Sequence, residues 1–159
     1  MNFILSAGLR QELPDDKTLM ETMMKINPYL TFNGDCKQAM EFYAKSLHAQ
    51  IAMMMSYGDT PMADQTPAGI RGRIAHARIA LGDQVLMASD AHTDEHVETK
   101  GMTVSLVVDT PAEADRVFEA LSAGGKITMP IAETFWAQRF GMLQDKFGIP
   151  WMVNCEKTM

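Results

Sequence analysis

The order strand, helix, three strands occurs twice along this chain, and that repetition constrains the fold more than any other feature. In the first copy residues 26–32 read as a strand, Asn33 and Gly34 punctuate it, and Asp35 opens a helix. Gln38 completes a capping-box pattern with Asp35, and Ala39, Met40, Tyr43 and Leu47 recur near the helical period as far as about His48. Residues 51–57 read as the next strand, and 58–72, rich in proline and glycine, as a long loop. In the second copy 102–108 is the strand, and Thr110, Pro111 and Glu113 combine an N-cap, a first-turn proline and a capping box. Ala114, Val117, Phe118 and Leu121 form the apolar side of a helix that Gly124 and Gly125 end. Strands near 127–131, 138–144 and 149–155 follow. Thr110 lies about 75 residues after Asp35, so the chain reads as an internal duplication. One such unit cannot bury both faces of its small sheet, so the halves must pack on each other or on a second chain.

The clearest hairpin lies between the two helices: residues 73–81, a turn at Gly82 and Asp83, then 84–90. Counting outward from that turn sets Ala80 opposite Val85, Arg78 opposite Met87 and His76 opposite Ser89. Opposed residues point to the same side of a sheet, so these six share one face.

Composition fits this reading. A chain of 159 residues with 47% hydrophobic and 21% charged residues is long enough and apolar enough to bury one core, which excludes bulk disorder. A formal charge of -6 is the wrong sign for wholesale attraction to nucleic acid or anionic lipid. No stretch approaches the roughly 18 uninterrupted apolar residues of a membrane span. The expectation is a cytoplasmic protein with no nucleic-acid or membrane partner. Residues 1–23 differ in texture and read as a leader outside the fold, whose short apolar start lacks the basic region of a signal peptide. Cys36 and Cys155 are too few and too far apart in sequence for a disulfide framework or a zinc site. Both read as reduced thiols, with Cys36 as buried filler rather than a reactive group.

The run Asn27 to Asp35, with Ala39 to Tyr43, resembles the first module of the vicinal oxygen chelate superfamily, which includes glyoxalase I, fosfomycin-resistance proteins, bleomycin-binding proteins and extradiol dioxygenases. Ile74 to Arg78, Leu86 to Asp90, Glu133 to Leu143 and Phe147 to Asn154 are similar to its PhnB-like branch, often labelled a demethylubiquinone methyltransferase-like domain. The resemblance spans about 24–157. It implies an α+β fold of two βαβββ modules, about 24–91 and 99–157, forming a cupped mixed sheet, usually as a homodimer. It also implies that the family's four metal-ligand positions fall on Pro28, Met87, Thr103 and Met152. None of these side chains suits a hard divalent metal, and thioethers favour soft ions such as Cu(I). No metal and no cofactor is therefore expected.

Because those positions face the cup, the hairpin parity places His76, Arg78 and Ser89 in it as well. A four-residue turn from Asp145 to Gly148 would pair Gly141 with Met152 and Arg139 with Asn154, turning Arg139 and Asn154 inward, with Thr103 and Ser105 beside them. The candidate ligand-binding residues are thus Arg78, Ser89, Thr103, Ser105, Trp136, Arg139 and Asn154. Arginines among hydroxyls and an amide point to a small polar or anionic ligand, although either could pair with Glu133 or reach the rim instead. His76 and Glu133 are the candidate catalytic residues of an alternative lyase- or isomerase-type enzyme without metal, against a satisfied core histidine and a structural salt bridge. Methyl transfer and metal-dependent glyoxalase-like chemistry rank below both. Two decoys are set aside: His92 to His96 matches an H-x-x-E-H spacing but reads as a solvated loop, and the methionines, Met53 to Met55 included, read as adaptable core packing rather than copper handling.

Overall fold

The computed structural model describes residues 24–93 and 96–158. The first module runs β1 (Tyr29–Phe32), α1 (Cys36–Leu47), β2 (Gln50–Ser56), β3 (Ile74–Leu81) and β4 (Gln84–Asp90). The second runs β5 (Val104–Val107), α2 (Pro111–Ser122), β6 (Lys126–Ala132), β7 (Ala137–Gln144) and β8 (Pro150–Glu156). Each module builds a four-stranded mixed sheet, in the order β1-β4-β3-β2 and β5-β8-β7-β6, so the duplication read from the sequence is the architecture. The expected leader lies outside the described residues. Two short 3-10 turns, Tyr57–Asp59 and Ala63–Gln65, sit in the long loop.

The helices lie on one side of the sheets and supply a core shared by both modules, from Leu30, Phe32, Met40 and Tyr43 to Phe118, Leu121, Trp151 and Val153. At Gly141 the backbone of β7 passes so close to α2 and β6 that an added Cβ would stand 2.6 Å from Phe118 Cε2 and 2.9 Å from Ile131 Cα. Any side chain there would force helix and strand apart.

The two helices begin differently. Thr110 accepts the Glu113 amide at 3.2 Å, as its sequence demanded. Asp35 makes no side-chain cap bond. The Asp90 carboxylate, 2% exposed at the end of β4, replaces it: Oδ1 accepts the amides of Gly34 at 2.7 Å and Cys36 at 3.0 Å, and Oδ2 accepts that of Ile74 at 2.8 Å. Three donors satisfy a charge that would otherwise be costly to bury.

Asp145 does the same work in the second module and reaches across to the first. It is 3% exposed and accepts the Phe147 amide at 2.8 Å, the Ile149 amide at 3.0 Å, Trp151 Nε1 at 2.8 Å and Tyr43 Oη at 2.6 Å. Arg116 adds a second cross-module tie by donating to the Ser46 carbonyl at the end of α1.

Candidate functional site

The first hairpin has the expected register, with Leu81 opposite Gln84, Ala80 opposite Val85 and Arg78 opposite Met87. Its neighbours extend the row in both directions: Met53 of β2 stands beside Arg78, and Tyr29 of β1 beside Met87. One line across the helix-free face therefore reads Met53, Arg78, Met87, Tyr29. One pleat along, Met55 stands beside His76 and Thr31 beside Ser89. Arg78 is exposed and has no hydrogen-bond or ion-pair partner among the described residues.

Tyr29 was not singled out by the sequence, yet its hydroxyl lies 3.3 Å from His76 Nδ1, with the rings stacked at 5.8 Å and 28°. If the phenol donates, Nε2 carries the ring proton and is a donor. The one signal for Tyr29 was parity: it lies on the same side of β1 as Thr31, and it is a residue from a parallel partner of β4 that completes this row.

In the second module the expected register is corrected. Gly141 pairs with Val153, Met142 with Met152, Phe140 with Asn154, and Arg139 with Cys155. The turn holds five residues rather than four, because Asp145 gathers the amides of Phe147 and Ile149 and its own amide reaches the Ile149 carbonyl. One extra turn residue moves every β7 side chain to the opposite side relative to β8. Arg139 consequently points toward α2, where its Nε is 3.1 Å from Asp115 Oδ1, and not into the cup beside Asn154. Asn154 keeps its place on the helix-free face with Met152, and its Oδ1 is buried without a hydrogen-bond partner among the described residues. Ser105 stands beside Met152, while Thr103 precedes β5.

Trp136 is 44% exposed and packs edge-on against Phe135 and Phe140, at 4.6 and 5.4 Å. Glu133 is held by Lys157 Nζ at 2.8 Å, and that hydrogen bond and charge keep its carboxyl below the usual range. It is a weak base as it stands. Cys36 is fully buried, and burial with the nearby Asp90 charge pushes its thiol up to about 12. In the decoy segment, His92 rests its ring on Tyr57 at 5.2 Å, and Asp94 and Glu95 lie outside the described residues.

Two cavities flank the seam between modules. One, of about 400 Å³, is lined by apolar residues such as Leu47, Ile79, Leu86, Leu106 and Trp151. The other, of about 380 Å³, is polar, with Asp35, His96, Glu98 and Gln144. Of the expected ligand-binding and catalytic residues only Ser105 lines either, so the candidate site is the open sheet face.

Pro28, Met87, Thr103 and Met152, the positions that the resemblance assigns to the family's metal, carry one side chain without a donor, two thioethers and one hydroxyl, a set poorly matched to a hard divalent ion. Pro28 offers only a carbonyl, which accepts the Met87 amide at 3.1 Å, and Met87 and Met152 offer thioethers. No group of three His, Cys, Asp or Glu suited to a metal occurs among the described residues.

Comparison with known proteins agrees with this architecture. The profile of the family described as 3-demethylubiquinone-9 3-methyltransferase matches residues 24–154. Protein YjdN of Escherichia coli K12 is 37% identical over 142 residues, covering 84% of this chain and 97% of its own length. The crystal structure of PA1353 from Pseudomonas aeruginosa superposes with a TM-score of 0.79 at 44% identity, over 86% of this chain and 100% of that one. A PhnB protein from Bacillus cereus follows at 0.70 and 29%, over 83% and 99%. A glyoxalase/bleomycin-resistance/dioxygenase domain from Frankia, 17% identical with a TM-score of 0.57, shares the fold.

Proposed function

The chain belongs to the PhnB-like, 3-demethylubiquinone-9 3-methyltransferase family of the vicinal oxygen chelate superfamily, and on that footing we propose that it binds a small anionic molecule on the helix-free face of its first module, without the hard-metal site of its metal-dependent relatives. One observation carries this reading: Arg78 stands in the middle of that face with no partner among the described residues. A guanidinium left unpaired offers two parallel donors to a carboxylate or phosphonate. With Tyr29 donating to Nδ1, the Nε2 of His76 is a donor and adds a third, and the Ser89 and Thr31 hydroxyls stand one pleat away. Ser105, Asn154 and Trp136 of the second module complete the ligand's surroundings if the two faces form one cup. Arg139 contributes less, since Asp115 already occupies it.

The protein is read as a cytoplasmic homodimer. Its two cysteines are free and buried, which fits a reducing compartment. Tyr29, Met53, Met129 and Trp136 are each more than two-fifths exposed, an apolar surface that a second copy would cover.

The alternative enzyme reading requires the reverse tautomer of His76. With Nδ1 donating to the Tyr29 oxygen, Nε2 becomes a base poised for proton abstraction. Methyl transfer, named in the family's description, requires in addition that S-adenosylmethionine bind.

A melt screen over carboxylates and phosphonates, with chloride and S-adenosylmethionine as controls, tests the proposal. A stabilising anion whose effect disappears in Arg78→Met supports it. Undiminished stabilisation in that variant, or no anion response at all, overturns it.

A further inference from the structure

The second module repeats the row of the first with different chemistry. Met129 of β6 stands opposite Met142 of β7, Met142 opposite Met152 of β8, and Met152 beside Ser105 of β5. Opposed residues project from the same side, so the three methionines form a row across the strands, with Met129 standing between two register irregularities of β6. They are not core. Met129 is 44% exposed, Met142 and Met152 are half-buried, and among the described residues the one methionine of the buried core is Met40. The sequence expectation of core packing therefore fails for these three.

We propose that Met129, Met142 and Met152 bind a soft monovalent cation, Cu(I) in the cell and Ag(I) as its redox-inert equivalent. Thioether sulfur is a poor ligand for hard cations and a good one for these. Three sulfurs at about 2.3 Å from one ion are about 4 Å apart in a trigonal arrangement. Neighbouring strands lie about 4.8 Å apart, so Met142 adjoins each of the other two, whereas Met129 and Met152 start about 10 Å apart on either side of β7. Unbranched side chains with three rotatable bonds let both outer sulfurs lean in over Met142.

The first module supplies an internal comparison. Its row also carries outer thioethers, Met53 and Met87, but Arg78 stands between them and its charge repels a cation. The difference between an anion row and a soft-cation row is thus the central residue. Lys126, opposite Gln144 in the adjoining row, weighs against hard ions held only by charge. This site is independent of the anion reading.

The test is a titration of the reduced full-length protein with silver nitrate in chloride-free buffer, following the methyl resonances of 13C-methyl-labelled methionine. Expected is a joint shift of Met129, Met142 and Met152, saturating at one equivalent, while Met53 and Met87 stay in place. Met142→Leu keeps the volume and should weaken binding at least tenfold, and Met53→Leu should not. Zinc should move none of the three. Silver taken up only by Cys36 or Cys155, methyl resonances that do not shift, or unchanged saturation in Met142→Leu would each overturn the proposal.

Discussion

Tyr43 Oη donates to Asp145 Oδ2 at 2.6 Å, joining the helix of the first module to the last turn of the second across 102 residues of sequence. Both side chains are buried, and the same carboxylate oxygen accepts Trp151 Nε1, whose ring stands 5.1 Å from that of Tyr43. The two modules are therefore joined by a charge-assisted bond inside the core as well as by apolar contact.

Tyr43→Phe removes one donor and leaves Asp145 with three. A loss of about 1.5–3 kcal/mol is expected, the usual worth of a hydrogen bond to a charged group, measured by urea unfolding. Asp145→Ala orphans four donors at once and should cost clearly more. If Asp145→Ala unfolds at the same urea concentration as Tyr43→Phe, the carboxylate does not hold the turn.

Alkaline pH should weaken the fold through Cys36. Its thiol is raised from 9.0 to about 12 by burial and by Asp90, so the folded state binds the proton more tightly than the unfolded one. The stabilising contribution is complete below pH 9 and is lost as pH rises toward 12. Tyr43, whose phenol is raised from 10.0 by burial and Asp145, acts in the same direction from about pH 10 upward. Melting temperature against pH should fall less steeply above 9 in Cys36→Ala than in the native chain. Native Cys36 should also resist a thiol reagent at pH 8.

Arg139→Met should leave anion binding intact, because the guanidinium is engaged by Asp115 on the helix side. Its stability cost should stay below about 1 kcal/mol, since both partners are more than a third exposed. Complete loss of anion-dependent stabilisation in this variant, measured in the melt screen, would place Arg139 in the site after all.

Thr110→Ala tests the asymmetry of the helix starts. Removing the one side-chain cap of α2 should cost about 1 kcal/mol. Asp35→Ala at the start of α1 should cost less, because Asp90 holds that end. Paired denaturation curves decide it.

Much of this was legible from residue order. The duplication, both helices, the Gly82-Asp83 hairpin and its face followed from periodicity and turn chemistry, all local signals. The last hairpin did not, because its turn length depends on what the Asp145 carboxylate gathers, and a carboxylate's partners are not written beside it in the sequence. Arg139 went to the wrong side for that reason alone. Tyr29 escaped notice because its importance comes from His76 on another strand, and the methionine row because it needs two registers at once. Asp35 looked like a cap and is not one, since a better acceptor arrives from β4.

The central position of each row has a consequence for how such a protein diversifies. Helix-side residues of the two halves share one core and one carboxylate, so a change there in either half is felt by the other. Arg78 and Met142 stand on the opposite side, each in its own sheet, where no partner in the core constrains them. With an anion at Arg78 and a soft cation at Met142, as proposed, a single substitution at either place would change the ligand preference of that half and leave its twin untouched, which makes the duplicated sheet a pair of separately adjustable surfaces on one fixed frame.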